Sequence, residues 1–334
     1  MGVRTLVSLK PSLYGILFDE AADLELRSAV DATWNQEERD IPAAELAPLL
    51  AEQEILVTGW GSPRLDEEVL EQARRLRLVV HSAGTVKGLV SPALFDRGVR
   101  VVQAAAAMAP AVAEMCLTTC LVMLRHVHRM DRGLFHGGSW EKASAAGLGR
   151  EFRSCRIGVV GASRTGVEFI RMATALGAEV WVFDPYLTSE RSAELGVRSV
   201  ALRELLAGSD IVALHAPSTA QTQHMIGAEE LAVLRDGAIL VNTARSWLTD
   251  EAALLAEVTS GRINAAIDVF DEEPLPFNSP FRGLDNVLLT PHQAGASVEA
   301  RHRQGRIVVD EIVRFLAGED LKHEVREEIL PILA

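Results

Sequence analysis

RIGVVGASRTGVEFIRMATALGAEVWVFD, residues Arg156 to Asp184, sets the frame for the rest of the chain. Ile157, Val159 and Val160 form a short β-branched run that enters a glycine turn at Gly161. Val167, Ile170, Met172 and Leu176 then follow a helical pattern, which Gly177 ends. Val180 to Phe183 reads as a second apolar strand, closing on Asp184. Strand, tight turn, helix, strand and terminal acid is the order of a dinucleotide-binding βαβ unit. Its turn brings backbone N–H groups and the positive helix end against a pyrophosphate. Asp184, 23 residues after Gly161, stands where a carboxylate accepts ribose hydroxyls.

The glycine pattern is incomplete. Gly161 and Gly166 are the first and third glycines of G-x-G-x-x-G, but Ser163 replaces the middle one. Ser163 either tolerates the close approach of a pyrophosphate or donates its hydroxyl to it. Two other readings of the stretch stay open at this point. One is a plain parallel-sheet turn, the other an S-adenosylmethionine site.

The 334 residues are enough for two compact domains, each with its own core. At 48% hydrophobic and 24% charged, the composition is that of a soluble globular protein. A net charge of −13 argues against nucleic-acid and anionic-membrane partners. Three cysteines are too few for a disulfide framework, which points to a reducing cytoplasm. Cys116 and Cys120 share a helix face, yet no His or acid completes a metal site, so no metal is expected. The apolar run Ala104 to Leu124 is interrupted by Pro110 and Glu114 and reads as a helix buried between domains or subunits rather than a membrane span.

Strands are expected at Val3–Leu9, Ile55–Thr58, Leu78–Val80 and Val99–Val102, with helices at Leu24–Val30, Asp66–Leu76 and Pro92–Arg97 between them. This alternation implies a parallel sheet with both faces covered. A helix over Ala104–Met130 and a polar, Gly-rich connection over Asp131–Gly149 lead into the stretch quoted above. Beyond it, strands are expected at Asp210–Leu214, Ala238–Asn242, Ala265–Val269 and Val287–Leu289, and a long helix after Val298. The fold class is α/β, with two doubly wound parallel-sheet domains: a Rossmann coenzyme domain and a flavodoxin-like substrate domain.

Three charged groups fall just after strand ends, where doubly wound sheets place their ligands. They are Arg245 after VNTA, Glu273 in DVFDEEP and His292 in LTPH. Each alone is ordinary, a solvated Arg or Glu or a structural His. Together, on loops downstream of the nucleotide turn, they point to a site.

From about Leu56 onward the chain resembles the D-isomer-specific 2-hydroxyacid dehydrogenases. The matching phrases are VAE (Val112 to Glu114), GASRTG, SDIVALHAP, GAILVNTAR, AAIDVFDEEPLP and NVLLTPHQAG. The first fifty residues resemble the family only in outline. The resemblance implies NADH-dependent reduction of a small 2-keto acid to the D-2-hydroxy acid. His292 would protonate the keto oxygen, Glu273 would hold the imidazole and favour its charged form, and Arg245 would bind the carboxylate with its planar fork. Strand alternation and the motif favour Glu273 over the adjacent Glu272 for that role. Asp268 matches the family's acid near the nicotinamide carboxamide. The cofactor contacts implied are Gly161, Ser163, Arg164, Thr165, Gly166, Asp184, His215, Ala216, Pro217, Thr243, Ala244, Asp268 and His292. Those implied for substrate are Trp60, Gly84, Thr85, Lys87 and Arg245, with Gly84 and Thr85 acting through backbone N–H groups.

The chain also departs from the family. Its substrate loop reads Ala83-Gly84-Thr85-Val86-Lys87-Gly88 where G-V-G-x-D-N is usual, so Lys87 replaces an acid. Lys87 either pairs with a second anionic group on the substrate or is a solvated surface residue. Ser246 follows Arg245 where the family has Gly, which predicts a re-aimed turn. Trp60-Gly61-Ser62 stands where phosphoglycerate dehydrogenases carry an R-S-R phosphate grip, which counts against phosphohydroxypyruvate.

The expected layout is a substrate domain of residues 1–103 plus 297–334 and a coenzyme domain of 104–296. Asp184 favours NAD over NADP, since a 2′-phosphate would meet a carboxylate. The resemblance also implies a homodimer formed through the coenzyme domain. Two rival functions share the fold: an NAD(H)-responsive corepressor-like binding protein, and a formate- or phosphite-type dehydrogenase.

Overall fold

The computed structural model describes residues 2–135 and 138–332. The chain folds as two compact units, Met1–Met108 with Ala296–Ala334, and Ala109–Gly295.

The first unit holds β1 (Arg4–Val7), β2 (Asp31–Trp34), β3 (Ile55–Thr58), β4 (Leu78–His81) and β5 (Arg100–Gln103). They pair in parallel in the order β2-β1-β3-β4-β5, and Glu324–Val325 adds antiparallel to β5. Successive side chains of each strand enter opposite layers. Ile55, Val57, Leu78 and Val80 pack on one face, while Leu56, Val79 and Val101 pack on the other. Because both faces are covered, β3 and β4 read in sequence as unbroken apolar runs. β2 does not, since it is an edge strand with alternate residues exposed, and it was not expected. The helix Val298–Ala317 joins the layer of Val7 and Leu17 through Val308, Val309 and Ile312. Burying each such side chain contributes about 1.5–3 kcal/mol. Gly305 lets that helix lie on Pro11–Leu17, since a Cβ there would run into the Leu17 carbonyl oxygen.

The second unit holds β6 (Arg156–Val160), β7 (Glu179–Phe183), β8 (Arg198–Ser199), β9 (Ile211–Leu214), β10 (Ile239–Asn242), β11 (Asn264–Ile267) and β12 (Val287–Leu289). All pair in parallel in the order β8-β7-β6-β9-β10-β11-β12. The order reverses between β6 and β9, the switch point at which doubly wound sheets bind ligands. Ile157, Val159, Phe169 and Cys116 fill one layer; Val160, Leu205, Leu231 and Leu254 fill the other.

Three local expectations change. The apolar stretch 104–130 is not one helix but a 3₁₀ turn at Ala105–Met108, a helix at Ala109–Leu124 and another at Val127–Phe135. It breaks because the Leu124 carbonyl accepts from the N–H of Arg150, while His126 turns into the left-handed region (φ 54°). The connection after Asp131 is partly helical, with Trp140–Ser144 capped by Ser139, whose Oγ accepts from Lys142 N; residues 136–137 lie outside the described residues. The helix expected over Asp66–Leu76 shrinks to Glu67–Leu70. Residues 105–124 are long and apolar enough to cross a membrane, but half of the stretch is buried, with Ala113, Cys116 and Cys120 in the core beside Phe169.

Candidate active site

β6 gives way to the turn at Gly161, whose φ of 97° lies in the left-handed region. A Cβ at Gly161 would come 2.6 Å from Ala216 N, and one at Gly166 would strike the Gly161 carbonyl oxygen. The two glycines thus let strand, turn and helix meet backbone to backbone. Ser163 caps the helix Arg164–Ala175, its Oγ accepting from Gly166 N at 3.3 Å. The serine that breaks the glycine pattern therefore anchors the helix end, at about 1 kcal/mol for such a cap. Arg164 is exposed and Thr165 half-buried beside it. Asp184 follows β7, accepting from Ala162 N (2.7 Å) on one oxygen and Tyr186 N (2.8 Å) on the other. Each carboxylate oxygen keeps a lone pair for a hydroxyl.

Across the switch point, His215 follows β9 and donates its backbone N–H to Val160 O at 2.8 Å, with Ala216 and Pro217 next in the turn. Its ring is buried against Phe169, and neither ring nitrogen has a protein partner. Burial pushes His215 down to about 4, so the ring is neutral at physiological pH. Thr243, after β10, likewise has a buried hydroxyl without a protein partner. A turn cleared of side chains, a helix N-terminus, an acid after the second strand and unsatisfied polar atoms after the next two fit a dinucleotide.

The charged groups gather at the same end of the second unit's sheet. Asn242, the last residue of β10, forms the turn that carries Arg245. Its Nδ2 donates to Arg245 O (2.9 Å) and its Oδ1 accepts from Ala244 N (3.1 Å). Arg245 Nη1 donates to Ala244 O at 2.7 Å, which leaves most of the guanidinium donors for a ligand. Burial pushes the Arg245 pKa down and the charge of Glu273 opposes that shift. Ser246 does not re-aim the turn through a left-handed backbone, since His126, His224 and His292 are the described non-glycine residues with positive φ.

Asp268, 1% exposed, follows β11. One of its oxygens accepts from Gln293 N (2.9 Å) and from the Thr290 hydroxyl, the other from Ala294 N (2.9 Å). Its own carbonyl accepts from His292 N at 2.8 Å. Asp268 thus fixes the turn that bears His292, whose φ of 53° is one a non-glycine residue rarely adopts. His292 Nδ1 lies 2.7 Å from Glu273 Oε2, and Glu273 Oε1 accepts from Phe270 N at 3.0 Å. Burial would raise the Glu273 pKa, but the His292 hydrogen bond, the Phe270 N–H and the charges of His292 and Arg245 hold it below its ordinary value. Glu272, its neighbour, is exposed and has no part in this contact.

Trp60, Gly84, Thr85 and Lys87 belong to the first unit, on the turns after β3 and β4. The β4 turn is well anchored. Ser82 N donates to Thr58 O (2.8 Å), His81 Nδ1 meets the Thr58 hydroxyl (3.0 Å), and the buried Gln304 donates to Ser82 O (2.6 Å). Burial pushes His81 down to about 4. Thr85 is exposed, its hydroxyl accepting from Lys87 N at 3.4 Å. Asn242 and Gln304 were not singled out from the sequence. The Asn-Thr-Ala-Arg order, an Asx turn after an apolar strand, was a usable signal for the first, and nothing local marks the second.

Residues 117–294 match the family described as D-isomer specific 2-hydroxyacid dehydrogenase, NAD binding domain. The chain is 34% identical over 303 residues to a glyoxylate reductase of Pyrococcus furiosus, covering 89% of each chain. It is 33% identical over 289 residues to a D-3-phosphoglycerate dehydrogenase of Methanocaldococcus jannaschii, covering 86% of this chain and 54% of that one. The match therefore spans about half the length of such phosphoglycerate dehydrogenases. Among solved structures, the TT0316 protein of Thermus thermophilus superposes with a TM-score of 0.81 at 27% identity, over 97% of this chain and all of the other. A D-2-hydroxyisocaproate dehydrogenase shares the fold with a TM-score of 0.84 at 22% identity, over 96% and 99% of the two chains.

Proposed function

The chain belongs to the D-isomer specific 2-hydroxyacid dehydrogenase family, and from that premise we propose that it reduces a small 2-keto acid to the D-2-hydroxy acid with NADH, reversibly. The second unit is the family's NAD-binding domain. The observation that carries the proposal is the 2.7 Å contact of His292 with Glu273, with Arg245 electrostatically coupled to the same carboxylate.

A bound reduced nicotinamide supplies the two electrons and the hydrogen that reach the substrate's carbonyl carbon. The Gly161–Gly166 turn holds its pyrophosphate and Asp184 the adenosine ribose, where a 2′-phosphate would meet a negative charge. Arg245 pairs with the substrate carboxylate and draws electron density toward the carbonyl oxygen. His292 Nε2 gives that oxygen a proton and recovers it in the oxidative direction. Glu273, bonded to Nδ1, fixes the ring orientation and favours the imidazolium by its charge. Asp268 acts through the backbone as a positioning residue, holding the turn on which the imidazole stands.

Leu121, Val127, Met130, Leu134, Phe135 and Trp140 are exposed on successive helices of the second unit, which supports homodimer formation. Three free, buried cysteines suit a reducing, cytoplasmic setting. The test is NADH oxidation with pyruvate, hydroxypyruvate, glyoxylate, oxaloacetate, phenylpyruvate and phosphonopyruvate, and with NADPH as the poorer donor. At least one keto acid should turn over, and none doing so would sink the proposal. The solution mass of the same preparation checks the dimer, which a monomer would remove.

A further inference from the structure

Elsewhere on the second unit arginines meet acids. Arg150 and Arg235 share Asp210, Arg156 pairs with Glu179, Arg198 with Glu204 and Arg262 with Glu257. Arg129, Arg132, Lys142 and Arg282 pair with no carboxylate among the described residues, yet all four line one cavity of about 710 Å³. The helices Val127–Phe135 and Trp140–Ser144 and the chain entering β12, the edge strand, bound this cavity, so it lies within the second unit. Gly133, Ala145 and Ala146 bring little side chain to fill it. One acid, Asp285, stands against the four cations, a surplus of three positive charges in a chain whose net charge is −13.

The guanidinium groups are fixed in place by neutral acceptors. Arg129 donates through Nε to Asp285 O (3.1 Å) and through Nη2 to Asn264 Oδ1 (2.8 Å). Arg132 donates through Nη1 to Leu284 O (3.2 Å) and through Nη2 to Val287 O (3.1 Å). Arg282 donates through Nε to Pro276 O (2.8 Å) and through Nη2 to Leu275 O (2.9 Å). These bonds set the direction of each fork without cancelling its charge. Arg129 Nη1, Arg132 Nε and Arg282 Nη1 are bonded to no acceptor among the described residues. The field is felt nearby: burial first, and then the charges of Arg132 and Arg129, push His128 down to about 4.

The shape of the donor set narrows the ligand. A planar carboxylate is best met by two nitrogens of one fork, and here each fork has spent two nitrogens on the protein. Tetrahedral phosphate oxygens face several directions and take single donors from separate side chains. Three positive charges match a diphosphate, and the volume is that of a small-molecule site. Asn264 and Asp285 stand at the entry to β11 and β12, the end of the sheet opposite the turn of His292.

We propose that this cavity is a diphosphate-binding site, separate from the coenzyme turn, in which Arg129, Arg132, Lys142 and Arg282 receive a free or esterified diphosphate.

The experiment titrates inorganic pyrophosphate and ADP calorimetrically into the protein, alone and with saturating NADH. The variants are Lys142→Gln and Lys142→Gln/Arg282→Gln, which change exposed side chains and leave the half-buried Arg129 and Arg132 in place. At least one probe should bind saturably with NADH present. Its affinity should fall about tenfold in Lys142→Gln and about 100-fold in the double variant. Tighter binding of ADP identifies an ester as the ligand, and tighter binding of pyrophosphate the free ion. Citrate, highly charged but built of planar groups, should bind more weakly than either. No saturable binding in the wild type, binding that NADH abolishes, variants that bind like the wild type, or citrate bound most tightly would each overturn the site.

Discussion

The turn that bears His292 and the surroundings of Arg301 hold charge in opposite ways. In the second unit, Asp268 is saturated by two backbone N–H groups and a hydroxyl, and Glu273 is shared between Phe270 N and His292. Each group that orients the His292 imidazole is thus fixed by the protein itself, so little reorganisation is needed there. In the first unit, Arg301 is held by an indole face and one amide, and an edge of its fork has no protein acceptor. The contrast teaches that charge fixed by backbone N–H groups serves to position a side chain, whereas charge left with an open donor edge is free to take an anion.

Three changes break or sharpen this contrast. The largest effect is expected at the fixed end: His292→Ala should lower kcat about 10²–10⁴-fold while NADH binds as before, and near-normal turnover would refute the proton-donor role. Glu273→Gln should act less strongly, through the orientation of the imidazole. Without the carboxylate the ring loses its Nδ1 partner, so kcat should fall while KM changes little; an unchanged kcat separates Glu273 from His292. The sign of the stability effect follows from the lowered Glu273 pKa. Its contribution is present above the unfolded pKa and fades as pH falls through the folded one, so Glu273→Gln should unfold with a weaker pH dependence in acid. The smallest effect is expected at Asp184. Asp184→Ala should narrow the NADH/NADPH preference about tenfold, the size of one charge-assisted hydrogen bond. An unchanged ratio would mean that the ribose is read elsewhere.

The legibility of the chain follows the same division. Strands β6, β9 and β10 and the Gly161 turn were readable because a doubly covered parallel strand must be apolar on both faces and must end in a turn. β2 and Glu324–Val325 were not, since edge strands of two to four residues carry no such run. Arg245, Glu273 and His292 stood out because each follows an apolar strand. Arg301 did not, because its stack on Trp60 joins distant stretches of chain, which no spacing records. Asp268 was picked out for the cofactor, but its bonds to the His292 turn cross 25 residues of chain and emerge only from the folded sheet.

The first unit is assembled from two separate stretches of the chain, and Val308, Val309 and Ile312 complete one of its layers. During synthesis β1, β3 and β4 emerge long before the helix that covers them, with the whole second unit translated in between. The nascent chain therefore carries an apolar sheet face only partly covered, by Leu13, Leu17 and Leu26, for some 190 residues of elongation, about 10–40 s at ordinary translation rates. Over that interval its risk of aggregation depends on how soon the ribosome releases the closing helix.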